Sequence, residues 1–293
     1  MPIIQTILMG IVQGLSEFLP ISSSAHLVFT SNFYKVFKGI EIVQQSNEEV
    51  FLDIMLHLGT LVAVIIFFRK EIWEICKDLY KHFFAPFQGE MPERQWGWNN
   101  APANAKLGIY IIIGTVITIA LALPINEVAE HLVYHPALVG GLLVLTGFVL
   151  FLSEYLSKKR TEKFDTPNLK QSILIGLAQG LAVLPGFSRS GWTIATGLFA
   201  GLNRETAARY SFLLSIPIIL GASMVYPLIK IDVAEAITYN WTAIILGTFV
   251  SAIVGYFCIK YFMKFISKFS LNFFGWYCVL MGLFTSIFFA IFK

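Results

Sequence analysis

Residues 13–27 read QGLSEFLPISSSAHL, and residues 184–191 read LPGFSRSG. Each stretch interrupts a long apolar region with proline, serine and glycine. Residues 1–34 hold only Glu17 and His26 as ionisable side chains, and residues 171–202 hold only Arg189. Proline fixes φ and restricts the residue before it, so a helix ends or bends near Pro20 and Pro185. The arms on either side of each break are roughly 12–18 residues long, short of the roughly 20 that a hydrocarbon core needs. Irregular backbone at membrane depth is tolerated only where it is buried in protein or lines a wet cavity. Both regions are therefore expected to be re-entrant helix hairpins.

The two regions also repeat each other. Ile11-Val12-Gln13-Gly14-Leu15 matches Leu177-Ala178-Gln179-Gly180-Leu181, and Ser22-Ser23-Ser24 matches Ser188-Arg189-Ser190, both at an offset of 166 residues. Pro20 and Pro185 drift from that register by one. Runs poor in charge at 50–68, 107–126 and 136–153 follow the first hairpin, and runs at 210–229, 236–259 and 269–292 follow the second. Three spans per copy is an odd number, so the second copy must lie upside down relative to the first. The expected fold is an all-α polytopic membrane protein with six transmembrane helices and two re-entrant hairpins in an inverted-topology repeat. The chain forms one integral membrane domain over residues 1–293. Its first repeat is 1–156 with hairpin 1–38, and its second is 169–293 with hairpin 169–202. Such repeats place a site near the midplane, where broken helices meet.

Composition agrees. The 293 residues are 56% hydrophobic and 13% charged, with mean hydropathy +0.71 and 27 phenylalanines. A soluble chain carries about 25% charge. This argues against disorder, collagen, coiled coil and nucleic-acid binding. Cys76, Cys258 and Cys278 are too scattered for a disulfide framework or a zinc site. The first Lys is Lys35, so the N-terminal run is not expected to be a cleavable signal peptide.

Charge placement orients the chain. Lys35, Lys38, Lys230 and Lys293 fall on one side, 4 in all, whereas 16 Lys/Arg fall on the other, from Arg69 through Lys268. The positive-inside rule makes the second side cytoplasmic and places both termini outside. Residues 70–84 read as an amphipathic helix on the membrane surface, residues 86–102 as a polar cytoplasmic loop, and the aromatics at 273–277 as an interfacial belt.

Ionisable groups at membrane depth are costly and by default functional. Arg189 offers a fork of donors suited to phosphate or carboxylate, flanked by Ser188 and Ser190. The helix starting near Gly191 points its N-terminus at the same spot. Glu17, with Gln13 one turn earlier, could hold a divalent cation, pair with Arg189 or act as a general base. His26 follows Ser22, Ser23 and Ser24 within a turn, a spacing that lets imidazole reach a hydroxyl. One serine suffices to cap the helix, which leaves Ser23 as a candidate nucleophile. Asp53 and His57 share a face at i, i+4 and could line the cavity. At the positions matching Glu17, Ser23 and His26, the second copy has Val183, Arg189 and Trp192. A division of acid, nucleophile and base from the cation suits one asymmetric reaction centre.

Together, QGLSEFLPISSSAHL and LPGFSRSG resemble the two signature motifs of the undecaprenyl-diphosphate phosphatase family, bacterial membrane proteins linked to bacitracin resistance. The resemblance spans essentially the whole chain. It implies hydrolysis of the polyprenyl diphosphate carrier lipid to its monophosphate and inorganic phosphate, at a periplasm-facing site in the inner membrane. It also implies a divalent cation, magnesium or calcium. By motif, Glu17, Ser23, His26 and Arg189 are the catalytic positions, Ser22, Ser24, Ser188, Ser190 and Gln13 the substrate-binding ones, and Glu17 the metal ligand. The family often has glutamate where this chain has Gln13, whose amide carbonyl can still face a cation or phosphate. The expected mechanism has Arg189 on the phosphates and Ser23, or a water it orients, attacking while His26 takes the proton. Expected partners are the polyprenyl diphosphate and the bilayer, with no nucleic acid and a homodimer left open. The rival reading is a transporter or lipid flippase, which shares the inverted-repeat architecture.

Overall fold

The computed structural model describes residues 3–37, 39, 46–84, 97–230 and 236–291. Its helices are α1 (Ile3–Ser16), α2 (Ser23–Phe37), α3 (Asn47–Phe67), α4 (Arg69–Leu79), α5 (Ala103–Leu132), α6 (Pro136–Lys159), α7 (Leu169–Leu181), α8 (Arg189–Phe199), α9 (Arg204–Lys230), α10 (Trp241–Ile266) and α11 (Asn272–Ile291). No strand occurs among the described residues. Lys38, Arg94, Lys293 and most of the loop expected at 86–102 lie outside them.

Among the described residues six helices are long and apolar enough to cross a membrane: α3, α5, α6, α9, α10 and α11. They fall on the six expected spans, and the chain is a multi-pass membrane protein. Their ends differ from the sequence reading because helices follow backbone hydrogen bonding rather than the limits of the apolar run. α5 continues past Glu127 to Leu132, and α10 past Lys260 to Ile266. α10 starts at Trp241 rather than 236 because the Asn240 side chain caps it, accepting from Ala243 N at 3.2 Å. The amphipathic segment becomes α4 followed by a π-turn at Tyr80–Phe84. Its Ile75 is buried, while Trp73 and Lys77 are exposed.

The interrupted regions form two short helix pairs, α1/α2 and α7/α8, of 14, 15, 13 and 11 residues. At about 1.5 Å per residue, none matches the ~30 Å hydrocarbon thickness. Each pair is joined by a turn that uses the left-handed region, at Ser22 (φ 68°) and at Gly186 (φ 99°). Among the described residues Ser22 alone does so without being glycine. For an L-residue that conformation costs about 1–2 kcal/mol and needs support from its surroundings.

The halves interlock. α1 packs on α10 and α7 on α5, so each half's first helix lies against the second span of the other half. Close approach requires glycine on both helices. A Cβ at Gly10 would lie 2.5 Å from the Gly247 carbonyl oxygen, and one at Gly176 would lie 2.7 Å from that of Gly114. Gly14 and Gly180 follow four residues on, giving small-xxx-small faces at the same 166-residue offset. A second clamp lies away from the short pairs. Buried Glu154 of α6 receives two hydrogen bonds from Arg204 at the start of α9, at 2.9 and 2.6 Å, and one from Leu271 N just before α11, at 2.9 Å.

Candidate active site

The two turns meet. Ser190 Oγ donates to the Leu19 carbonyl at 2.9 Å, and Ser22 Oγ lies 3.5 Å from the Phe187 carbonyl it donates to. The serines at their helix starts have local work as well. Ser22 Oγ accepts from Ala25 N at 3.3 Å, and Ser188 Oγ accepts from Gly191 N at 3.1 Å. These are N-caps at equivalent places, and the second makes α8 begin at Arg189, slightly ahead of the Gly191 expected. Ser24 lies 3.2 Å from Ser22, and Ser190 3.3 Å from Ser188, hydroxyl to hydroxyl. Thr146 of α6 braces the second turn: it donates to the Gly186 carbonyl at 3.1 Å and accepts from Trp192 Nε1 at 3.2 Å. Trp192 stacks on Phe187 with ring centroids 4.4 Å apart.

Glu17 follows α1 and is 6% exposed. Its carboxylate is the hub of the site. Oε1 accepts from Arg189 Nη2 at 2.6 Å, and Oε2 accepts from Ser23 Oγ at 2.6 Å and from Gln13 Nε2 at 3.0 Å. His57 of α3 brings Nε2 to 3.7 Å from Oε2, its Nδ1 donating to the Asp53 carbonyl at 2.7 Å. Carboxylate, guanidinium and hydroxyl from the two sequence stretches thus converge, as expected. Two buried polar atoms in this cluster have no partner, Arg189 Nη1 and Gln13 Oε1. One is a spare cationic donor and the other a spare acceptor.

His26 is placed differently from the sequence reading. Its Nδ1 donates to the Ser22 carbonyl at 2.8 Å, and its Nε2 lies 2.7 Å from the Tyr277 hydroxyl. Its ring stacks on Tyr277 at 5.7 Å with 11° between planes. Both nitrogens are occupied, and the Ser23 hydroxyl points at Glu17 instead. Tyr277 itself was expected in an interfacial belt; its residue type gave no sign that it turns inward.

A cavity of about 500 Å3 adjoins the cluster through His57, and Asp53, Asn126, Glu130, Tyr134 and Ser223 also line it. His57 therefore joins the cavity to the carboxylate. The signal in the sequence was a histidine and an aspartate inside an otherwise apolar span.

Oxygen donors that could face a cation are few in this cluster. No group of three His, Cys, Asp or Glu that could hold a metal occurs among the described residues. The unpartnered Gln13 Oε1 and the Glu17 carboxylate are nevertheless two adjacent oxygen donors. Magnesium is commonly held by one or two protein oxygens, with phosphates and water completing its shell.

Comparison with known proteins covers nearly the whole chain. The family described as bacitracin resistance protein BacA matches residues 6–284. The chain is 37% identical over 296 residues to an undecaprenyl-diphosphatase of Methanosphaera stadtmanae, covering 97% of each. It is 38% identical to one of Methanobrevibacter smithii, covering 97% of this chain and 96% of that one. It is 36% identical to one of Halothermothrix orenii over the full length of both.

Proposed function

The chain belongs to the bacitracin resistance protein BacA family, and from that premise we propose that it is an undecaprenyl-diphosphatase whose reaction centre is the Glu17–Arg189–Ser23 cluster. It removes the terminal phosphate of the polyprenyl diphosphate carrier lipid, returning the monophosphate to cell-wall synthesis and conferring bacitracin resistance. The observation that carries the assignment of residues is the buried carboxylate that accepts from Ser23 Oγ on one oxygen and from Arg189 on the other. A serine hydroxyl is a weak nucleophile until a base receives its proton. Here the group in place to do so is Glu17, and not the His26 that sequence spacing favoured.

The steps follow from these positions. The diphosphate enters from the cavity beside His57, and Arg189 Nη1 donates to the terminal phosphate. Ser23 Oγ attacks that phosphorus while its proton passes to Glu17 Oε2. The bond between phosphorus and the bridging oxygen breaks, and the lipid monophosphate leaves with that bond's electrons. Water then attacks the phosphoserine: the bond between phosphorus and Ser23 Oγ breaks, Glu17 returns its proton to that oxygen, and inorganic phosphate leaves with one proton of the water while the other passes to solvent. Arg189 offsets the charge gathering on the equatorial oxygens, the main demand in phosphoryl transfer. Glu17 and the Gln13 carbonyl oxygen would hold a magnesium or calcium ion, whose charge would further offset that of the phosphates.

The α1/α2 and α7/α8 pairs are read as re-entrant hairpins of an inverted repeat. Helices too short to span and tips buried against each other support this reading. The cavity opens between the end of α5 and the start of α3, away from the side rich in Lys and Arg. By the positive-inside rule the site faces outward from the cytoplasmic membrane.

The test is phosphate release from polyprenyl diphosphate by protein in detergent, with no gradient, before and after EDTA. Release that EDTA stops and magnesium or calcium restores is the expected result. A phosphorylated peptide containing Ser23, trapped by acid quench, separates the covalent route from direct attack by water. Binding without turnover would point to a carrier instead.

A further inference from the structure

We propose that Tyr277 is a positioning residue for phosphoryl transfer. Through His26 it holds the strained backbone at Ser22, so that Ser23 faces Glu17. The proposal rests on the reading of Ser23 as nucleophile.

The hydrogen-bond sense along this chain of groups is fixed by chemistry. The Ser22 carbonyl can only accept, so His26 Nδ1 carries the hydrogen in their 2.8 Å contact. In the neutral ring Nε2 is then an acceptor, and the Tyr277 hydroxyl donates to it at 2.7 Å. Stacking at 5.7 Å and 11° fixes the ring plane. The far end of the chain is the residue that needs support: Ser22 has φ 68°, among the described residues the one non-glycine in that region. The next residue, Ser23, projects its Oγ to within 2.6 Å of Glu17 Oε2. A relaxed Ser22 would rotate Ser23 away from the carboxylate. The neighbour of Tyr277 touches the same turn, since Cys278 Sγ lies 3.4 Å from the Pro20 carbonyl. α11 thus braces the turn between α1 and α2.

His26 has no nitrogen left to receive a proton from Ser23. It and Tyr277 form a strut rather than a relay.

The experiment compares Tyr277→Phe and Ser23→Ala with the parent protein, on polyprenyl diphosphate in detergent. Tyr277→Phe keeps the ring and loses only the hydroxyl. The expected result is a kcat about tenfold lower, as for loss of one oriented hydrogen bond, with KM and melting temperature unchanged. The pH profile of kcat keeps its shape, because neither group in the strut moves a proton.

Parent-like kcat in Tyr277→Phe would overturn the proposal, as would a raised KM at constant kcat or loss of one limb of the pH profile. If Tyr277→Phe does not fold, His26→Phe gives the same test with the same outcomes. Ser23→Ala separates the two readings. If it is inactive while Tyr277→Phe is parent-like, only the strut fails. If it is active, the nucleophile assignment fails.

Discussion

Arg189 spends one terminal nitrogen on Glu17 and keeps the other buried and unpartnered. A planar fork can hold a carboxylate and a phosphate at once, which an ammonium on a flexible stem cannot. Arg189→Lys should therefore lower kcat/KM about 100-fold or more, although the charge is kept. Steady-state rates on folded protein check this. Glu17→Gln removes the proton acceptor while preserving shape, and kcat should fall by about 10²–10⁴-fold. Retention of more than a tenth of the parent rate would remove Glu17 from that role. That Glu17 and Arg189 would meet was legible in the sequence because charged groups stand out in apolar surroundings, whereas Ser23 stood out only as a serine beyond the one a cap needs. The part played by His26 was not. Its spacing from the serines suggested a relay, whereas ring orientation depends on a tyrosine 251 positions away. One tyrosine among many aromatics carries no mark of facing inward.

At the scale of the helices, the breaks and short arms could be read directly, since proline and length decide them. Which helix each arm packs against could not, because glycine spacing shows a close-packing face without naming its partner. Gly10→Leu tests the α1–α10 contact. The Cβ would fall 2.5 Å from a backbone carbonyl, which cannot move without shifting the helix. Overpacking of this kind costs about 1–3 kcal/mol, seen as a lower melting temperature in detergent. Arg204 was counted in the sequence only as a cytoplasmic charge, but it is the partner of buried Glu154. Arg204→Met strands that carboxylate. A loss of about 3–5 kcal/mol is expected, with Glu154→Leu/Arg204→Met recovering much of it. Equal stability of the single and double variants would refute the clamp.

For the whole molecule, the asymmetry of Lys and Arg predicts a sidedness that chemical labelling can read. In a background with the exposed Cys76 changed to serine, Glu127→Cys should react with an impermeant maleimide on intact cells. Lys163→Cys should react only after permeabilisation. Both residues are exposed and sit at opposite ends of the spans. The reverse pattern would turn the cavity toward the cytoplasm. The six spans were visible in the sequence, but the packing of α1 on α10 and of α7 on α5 was not, since an offset gives similarity and no contacts.

That packing bears on how the protein is made. α1 leaves the ribosome long before the helix it lies against, which starts only after residue 240, and the tyrosine beside its turn comes later still, at 277. A nascent chain must keep the α1/α2 pair waiting in the membrane, or in the care of the insertion machinery, until α11 is released. Truncations before α10 should then yield no partial enzyme, and quality control would meet them as unfinished chains with the Gly10 and Gly14 face uncovered.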